Sequence, residues 1–223
     1  MDPTELTEDP RPVAGAVAPE VASEFPELRL LSLTLHATSP RSPREVRQRL
    51  KDLSDRFKGA QAVAMRRQPI PWAYRVFYRH IGLDPETDRP PMEALALDRL
   101  LKGHFRSQSL LDDALTIALM ETGVPLWALD ADTVHGDLAI RLARQDEALG
   151  RASTAPPLPE GGLVIVDGEG PVAVLFGPIA PGHGVTPKTT RMTLFALQVA
   201  GVPEIFVEEA FWECVSILGA GGP

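Results

Sequence analysis

The sequence predicts an α+β fold, and three observations carry that prediction. Helical periodicity fills most of the stretch from residue 42 to residue 122. Apolar, β-rich runs then follow one another, including a hairpin pattern in LVIVD-GEG-PVAVLFG. Helical spacing returns only after Pro203. Helices and strands thus segregate along the chain instead of alternating, which argues against a doubly wound sheet.

Taken in order, Met1 to Pro26 combines five prolines with acidic and small residues and shows no periodicity. Residues 1–27 are therefore expected to form a flexible acidic tail, ahead of a single globular domain over 28–219. Residues 28–37, LRLLSLTLHA, are apolar enough for a strand inside a sheet. Ser42-Pro43-Arg44-Glu45 has the pattern of a helix start, with serine as cap, proline at the first helical position and glutamate closing a capping box. Val46, Leu50, Leu53 and Phe57 form the apolar stripe of that helix, and Arg44, Arg47 and Lys51 line another face. That basic face fits a solvated surface or, as the alternative, contact with an RNA backbone.

Pro71 to Ile81 is a second helix, with Ala73, Val76, Phe77 and Ile81 facing inward. Tyr74 and Tyr78 lie one turn apart with Arg75 and Arg79 beside them, a pattern that covers the rim of a core or stacks on bases. LDPETDRPP is a proline-rich loop, and Met92 to Leu101 resumes helix. Leu111, Ala114, Leu115, Ala118 and Leu119 mark a further helix, capped by Ser109 and ended by Gly123 with Pro125 beyond it. A short strand, Leu126 to Leu129, carries Trp127 into Asp130 and Asp132. Strands follow at Asp137 to Ala143, in the hairpin, and at Met192 to Ala200, before a closing helix from Pro203 to Leu218.

The chain carries a net charge of −8, but residues 1–27 hold seven acidic groups against Arg11 alone, so the rest is close to neutral at −2. That balance excludes an autonomous, strongly basic nucleic-acid binder; DNA is not an expected partner, and any RNA affinity must come from a local patch. No apolar run approaches the roughly 20 residues that span a bilayer, and the N-terminus lacks the pattern of a signal peptide. A cytoplasmic protein with no membrane partner is expected. A single cysteine, Cys214, precludes an intramolecular disulfide and falls in an apolar helical run.

The phrases RS….D..T (Arg106, Ser107, Asp113, Thr116), ETGVPLWALDAD, GDLAIRLAR, LPEGGLVIVD, VLFG and VTPKTTR occur in that order. Over residues 70–200 they resemble the B3/B4 domain of the phenylalanyl-tRNA synthetase β subunit, which hydrolyses wrongly charged tRNA. The resemblance is stronger to stand-alone proteins built from that domain, whose lead-in YRVFYRHIGLDPETDRPPMEAL resembles. It implies a mixed β-sheet core flanked by helices. It also implies ligand contacts at Arg106, Asp113, Thr116, Trp127 and Phe195, with Arg106 and Thr116 as candidates to position an ester. Thr116 stands where the synthetase domain has asparagine, and Trp127 where it has histidine. Phe195, or Ala196 in a shifted alignment, stands where it has a glutamate that recognises the amino acid. A pocket built around a carboxylate rejects ligands that leave it unsatisfied, so an aromatic group there favours a more apolar ligand.

The resemblance therefore implies a module that binds an amino acid or the aminoacylated 3′ end of tRNA and has lost hydrolysis. The alternative is a trans-acting deacylase in which water attacks the positioned ester, with a structural or protein-interaction role third. Asp130, Asp132 and His135 lack the further acidic ligands of a calcium loop, and no metal or cofactor is expected. The sequence leaves the oligomeric state open.

Overall fold

The computed structural model describes residues 11–57, 59–151 and 154–220. Its elements, in order, are β1 (Val13–Val17), α1 (Pro19–Glu24), β2 (Arg29–His36), α2 (Arg44–Arg56), α3 (Gly59–Met65), α4 (Pro69–His80), α5 (Pro91–Lys102) and α6 (Leu110–Thr122). Then come β3 (Leu126–Asp130), β4 (Ala139–Leu142), β5 (Leu163–Val166), β6 (Pro171–Val174), β7 (Arg191–Gln198) and α7 (Glu204–Ala220). The strands form one mixed sheet in the order β3-β7-β2-β1-β4-β5-β6. All neighbours are antiparallel except β1 and β4. The fold is α+β, as the segregated pattern predicts. No helix among the described residues is long and apolar enough to cross a membrane.

The expected tail does not hold from residue 13 onward. β1 lies in the middle of the sheet, paired with β2 on one side and β4 on the other, and Val21 of α1 is buried. Small size makes this possible: a Cβ on Gly15 would stand 2.3 Å from the Leu138 carbonyl oxygen. Residues 1–10 lie outside the described residues. A second correction concerns Ser42. Pro43 holds the cap position of α2, and the Ser42 hydroxyl instead donates to Asp113 Oδ2 at 2.6 Å. α6 begins and ends as its sequence requires. Ser109 Oγ accepts the Asp112 N–H, and Gly123, at φ 77°, caps the other end in a left-handed conformation.

Alternation along the strands sorts the sheet into two faces. Leu31, Leu33, Leu194, Ala196 and Ala128 share one face and are buried. Their cover comes from the α6–α7 pair, which contacts β3 and β7. Leu30, Thr34, Thr193, Phe195, Leu197 and Trp127 share the other face. Residues 178–184 link the two edge strands: Ile179 bridges Ala173 of β6, and Gly184 bridges Leu129 of β3. The curled sheet is thereby drawn together around its second face.

Candidate functional site

Asp113 is the anchor of the segment entering α6. Its carboxylate accepts the Ser42 hydroxyl (2.6 Å), the Ser107 hydroxyl (2.5 Å) and the Gln108 N–H (3.1 Å), and it is 1% exposed. Expected as a ligand contact, it is instead occupied in joining the chain around Ser42 to the Ser107–Gln108 turn. Arg106 precedes that turn and is exposed; Thr116 follows one helical turn after Asp113 and is half-buried.

Trp127 and Phe195 do come together. Register places them directly opposite on β3 and β7, and their rings stack at 5.6 Å between centroids and 13° between planes. Phe176 meets the edge of Trp127 at 5.6 Å and joins it to Tyr74, Phe77 and Tyr78 of α4. Phe176 adopts φ 56°, a left-handed backbone that a bulky side chain seldom takes. Phe195 is the closed floor of this cluster at 1% exposed, whereas Trp127 is half-buried.

The same face of β7 becomes polar towards its N-terminal end. Two residues from Phe195, Thr193 Oγ1 lies 2.9 Å from Thr34 Oγ1 on β2. Two residues farther, Arg191 stands opposite His36, both exposed. At about 3.4 Å per residue, the hydroxyl pair sits about 7 Å and Arg191 about 14 Å along the strand from the stacked rings. An aromatic floor, a hydroxyl pair and a guanidinium thus follow one another on one strip. No hydrogen bond or ring contact among the described residues ties Arg106 or Thr116 to Trp127 and Phe195.

The B3/4 domain family model matches residues 73–208, which takes in the stacked pair, the Thr193–Arg191 strip and Phe176. The chain belongs to the B3/4 domain family. It is similar to phenylalanine–tRNA ligase beta subunits: 33% identical over 144 residues to that of Xylella fastidiosa (strain 9a5c), and 32% over 146 residues to that of Xanthomonas campestris pv. campestris (strain 8004). Each alignment covers 63% of this chain but 16% of the ligase subunit. The subunit of Psychrobacter arcticus is 36% identical over 98 residues, 44% of this chain and 12% of the subunit.

The RNA-contact candidates of this B3/4 domain divide. Arg44, Arg47 and Lys51 are exposed along α2, and Arg79 is exposed with its guanidinium 5.7 Å from the Trp72 ring centroid. Arg75 is withdrawn from solvent: both Glu93 oxygens accept from it at 2.7 Å, and Glu86 pairs with it as well. Burial alone would lower the Arg75 pKa, but these carboxylates raise it above its ordinary value. Tyr74 is likewise unavailable for stacking on bases, because its hydroxyl donates to the Leu197 carbonyl and its ring is buried. Burial pushes the Tyr74 and Tyr78 phenols above their ordinary pKa, so both stay neutral.

Residue types alone did not single out Phe176, the Thr34–Thr193 pair or Arg191. VLFG and VTPKTTR carry two of the three, and only the β2–β7 register brings Thr34 to Thr193.

Proposed function

We propose that this B3/4 domain binds the aminoacylated 3′ end of tRNA, or the corresponding amino acid, without hydrolysing it. The observation that carries the reading is the strip on β7. Half-buried Trp127, backed by the stacked Phe195 ring, offers an apolar wall for an amino-acid side chain or a base. Thr34 and Thr193 offer hydroxyl donors and acceptors for the ester region, and Arg191, exposed and only loosely paired with Asp132 at 3.8 Å, a guanidinium for a phosphate. The likeness to tRNA ligase subunits supports the choice of ligand. Hydroxyls hold and orient but are poor proton acceptors near neutral pH, so the strip supports binding ahead of catalysis.

Deacylation is the second reading. An aminoacyl ester is intrinsically labile, and placing water by the same hydroxyls would supply part of an acceleration. One experiment separates the two. Full-length protein is titrated with tRNA carrying a non-hydrolysable 3′-aminoacyl amide, with uncharged tRNA as control, and ester cleavage is followed on mischarged tRNAs. The binding reading expects the charged analogue to bind more tightly, Thr34→Val to weaken it about three- to tenfold, and no faster ester cleavage. Accelerated cleavage would establish the deacylase instead. Equal affinity for charged and uncharged tRNA would remove the strip from the account.

A further inference from the structure

We propose that the cavity where α1 and α4 end against the β5–β6 hairpin binds a small organic cation, an ammonium group carried on an aromatic or branched apolar body. This second site does not rest on the tRNA reading; it shares only the Phe176 wall with the β7 strip.

Three independent features point to that class of ligand. The cavity measures about 500 Å³, within the range that encloses small molecules. Its walls are apolar, with Phe25, Ile81, Leu163, Leu175 and Phe176 among them. Two rings in the wall suit an aromatic body and add attraction for a cation. The charge at its rim is negative: Glu24 and Asp88 line it, both are exposed, and neither enters an ion pair among the described residues. Among the described residues Asp88 Oδ2 accepts only the neighbouring Thr87 hydroxyl, at 3.2 Å, which leaves acceptor capacity for an ammonium.

The helices reinforce this polarity. α4 runs for 12 residues and finishes at His80, and both His80 and its cap Ile81 line the cavity. The last turn of a helix carries partial negative charge from its carbonyl groups, which favours a cation. α1 finishes at the same place, with Glu24 its last residue and Phe25 its cap. The Arg79 guanidinium in this turn is directed to the Trp72 ring. An anionic ligand would meet two carboxylates and two helix ends of its own sign. A neutral one would gain nothing from the charge at the rim.

The test is calorimetric titration of the full chain at pH 8. The probes are 2-phenylethylammonium, 3-phenylpropionate and 2-phenylethanol, which share a body and differ in charge. The expected result is saturable binding of the ammonium, about tenfold tighter than either other probe and weakened by salt. The double variant Glu24→Gln, Asp88→Asn replaces two exposed side chains, and should bring the ammonium down to the affinity of the alcohol without changing the melting temperature. Thr34→Val, on the β7 strip, should leave ammonium binding unchanged. Equal binding of all three probes, no saturable binding of any, or an unaffected double variant would overturn the proposal.

Discussion

A single carboxylate, Asp113, gathers groups that lie far apart in the sequence. Ser42 is 71 residues away, and Ser107 and Gln108 belong to the turn before α6. The sequence places Asp113 on a helix, and the family resemblance makes it a ligand contact. Its internal bonding is hidden there because Ser42 sits where a capping serine also belongs. The buried carboxylate with its three internal donors favours a structural role. Asp113→Ala removes an acceptor from three donors, one of them the fixed Gln108 N–H, and should cost roughly 2–4 kcal/mol of stability. Asp113→Asn should cost less, since its amide oxygen still accepts from one side. Urea unfolding monitored by circular dichroism reads both, with the denaturant slope unchanged if the fold is intact. A loss near zero for Asp113→Ala would return that carboxylate to the list of ligand contacts.

At the level of elements, helices with a broad apolar stripe and strands with dense apolar runs were legible, and α2, α4, α6, β2 and the β5–β6 hairpin stand where the pattern put them. α3 was not, since GAQAVAM is short and its alanines mark out no apolar stripe. The hairpin shows what pattern alone omits. Its turn is secured by Asp167, whose oxygens accept the N–H groups of His135, Glu169 and Gly170 and the guanidinium of Arg151. Burial pushes this carboxyl up, yet those donors together hold it below its ordinary value. A depressed folded pKa stabilises the protein above the unfolded value, about 3.9. That contribution disappears as the pH falls from there through the folded pKa. Below about pH 4, wild-type stability should therefore drop more steeply than that of Asp167→Asn, by up to about 1.4 kcal/mol per pH unit. Urea midpoints between pH 2.5 and 5 measure the difference, and parallel curves would show that the hairpin turn does not depend on this charge.

Across the whole molecule, β1 is the strand on which the sheet depends. Among the strands it is the one that pairs with both the β3-β7-β2 half and the β4-β5-β6 half. The site strip lies in the first half, whereas Phe176 follows directly from β6 in the second, so the aromatic cluster is assembled only when the halves stay in register. VAGAV was hidden in the sequence because alanine and glycine are poor strand formers and prolines and acidic residues surround it. The same small residues are what the close approach to Leu138 demands. Removing residues 1–17 should expose two inner strand edges, on β2 and β4, and yield a protein that has lost its cooperative thermal transition or aggregates. Gly15→Val in the full chain tests the same point without truncation. Valine is the better strand former, yet its Cβ meets a backbone oxygen that cannot step aside, so stability should fall by about 1–3 kcal/mol or more. Ala16→Val, exposed on the opposite face, should be neutral within about 0.5 kcal/mol. If Gly15→Val and Ala16→Val melt alike, or the truncated chain melts like the full one, β1 is dispensable and the two halves cohere through their helices and the 178–184 segment.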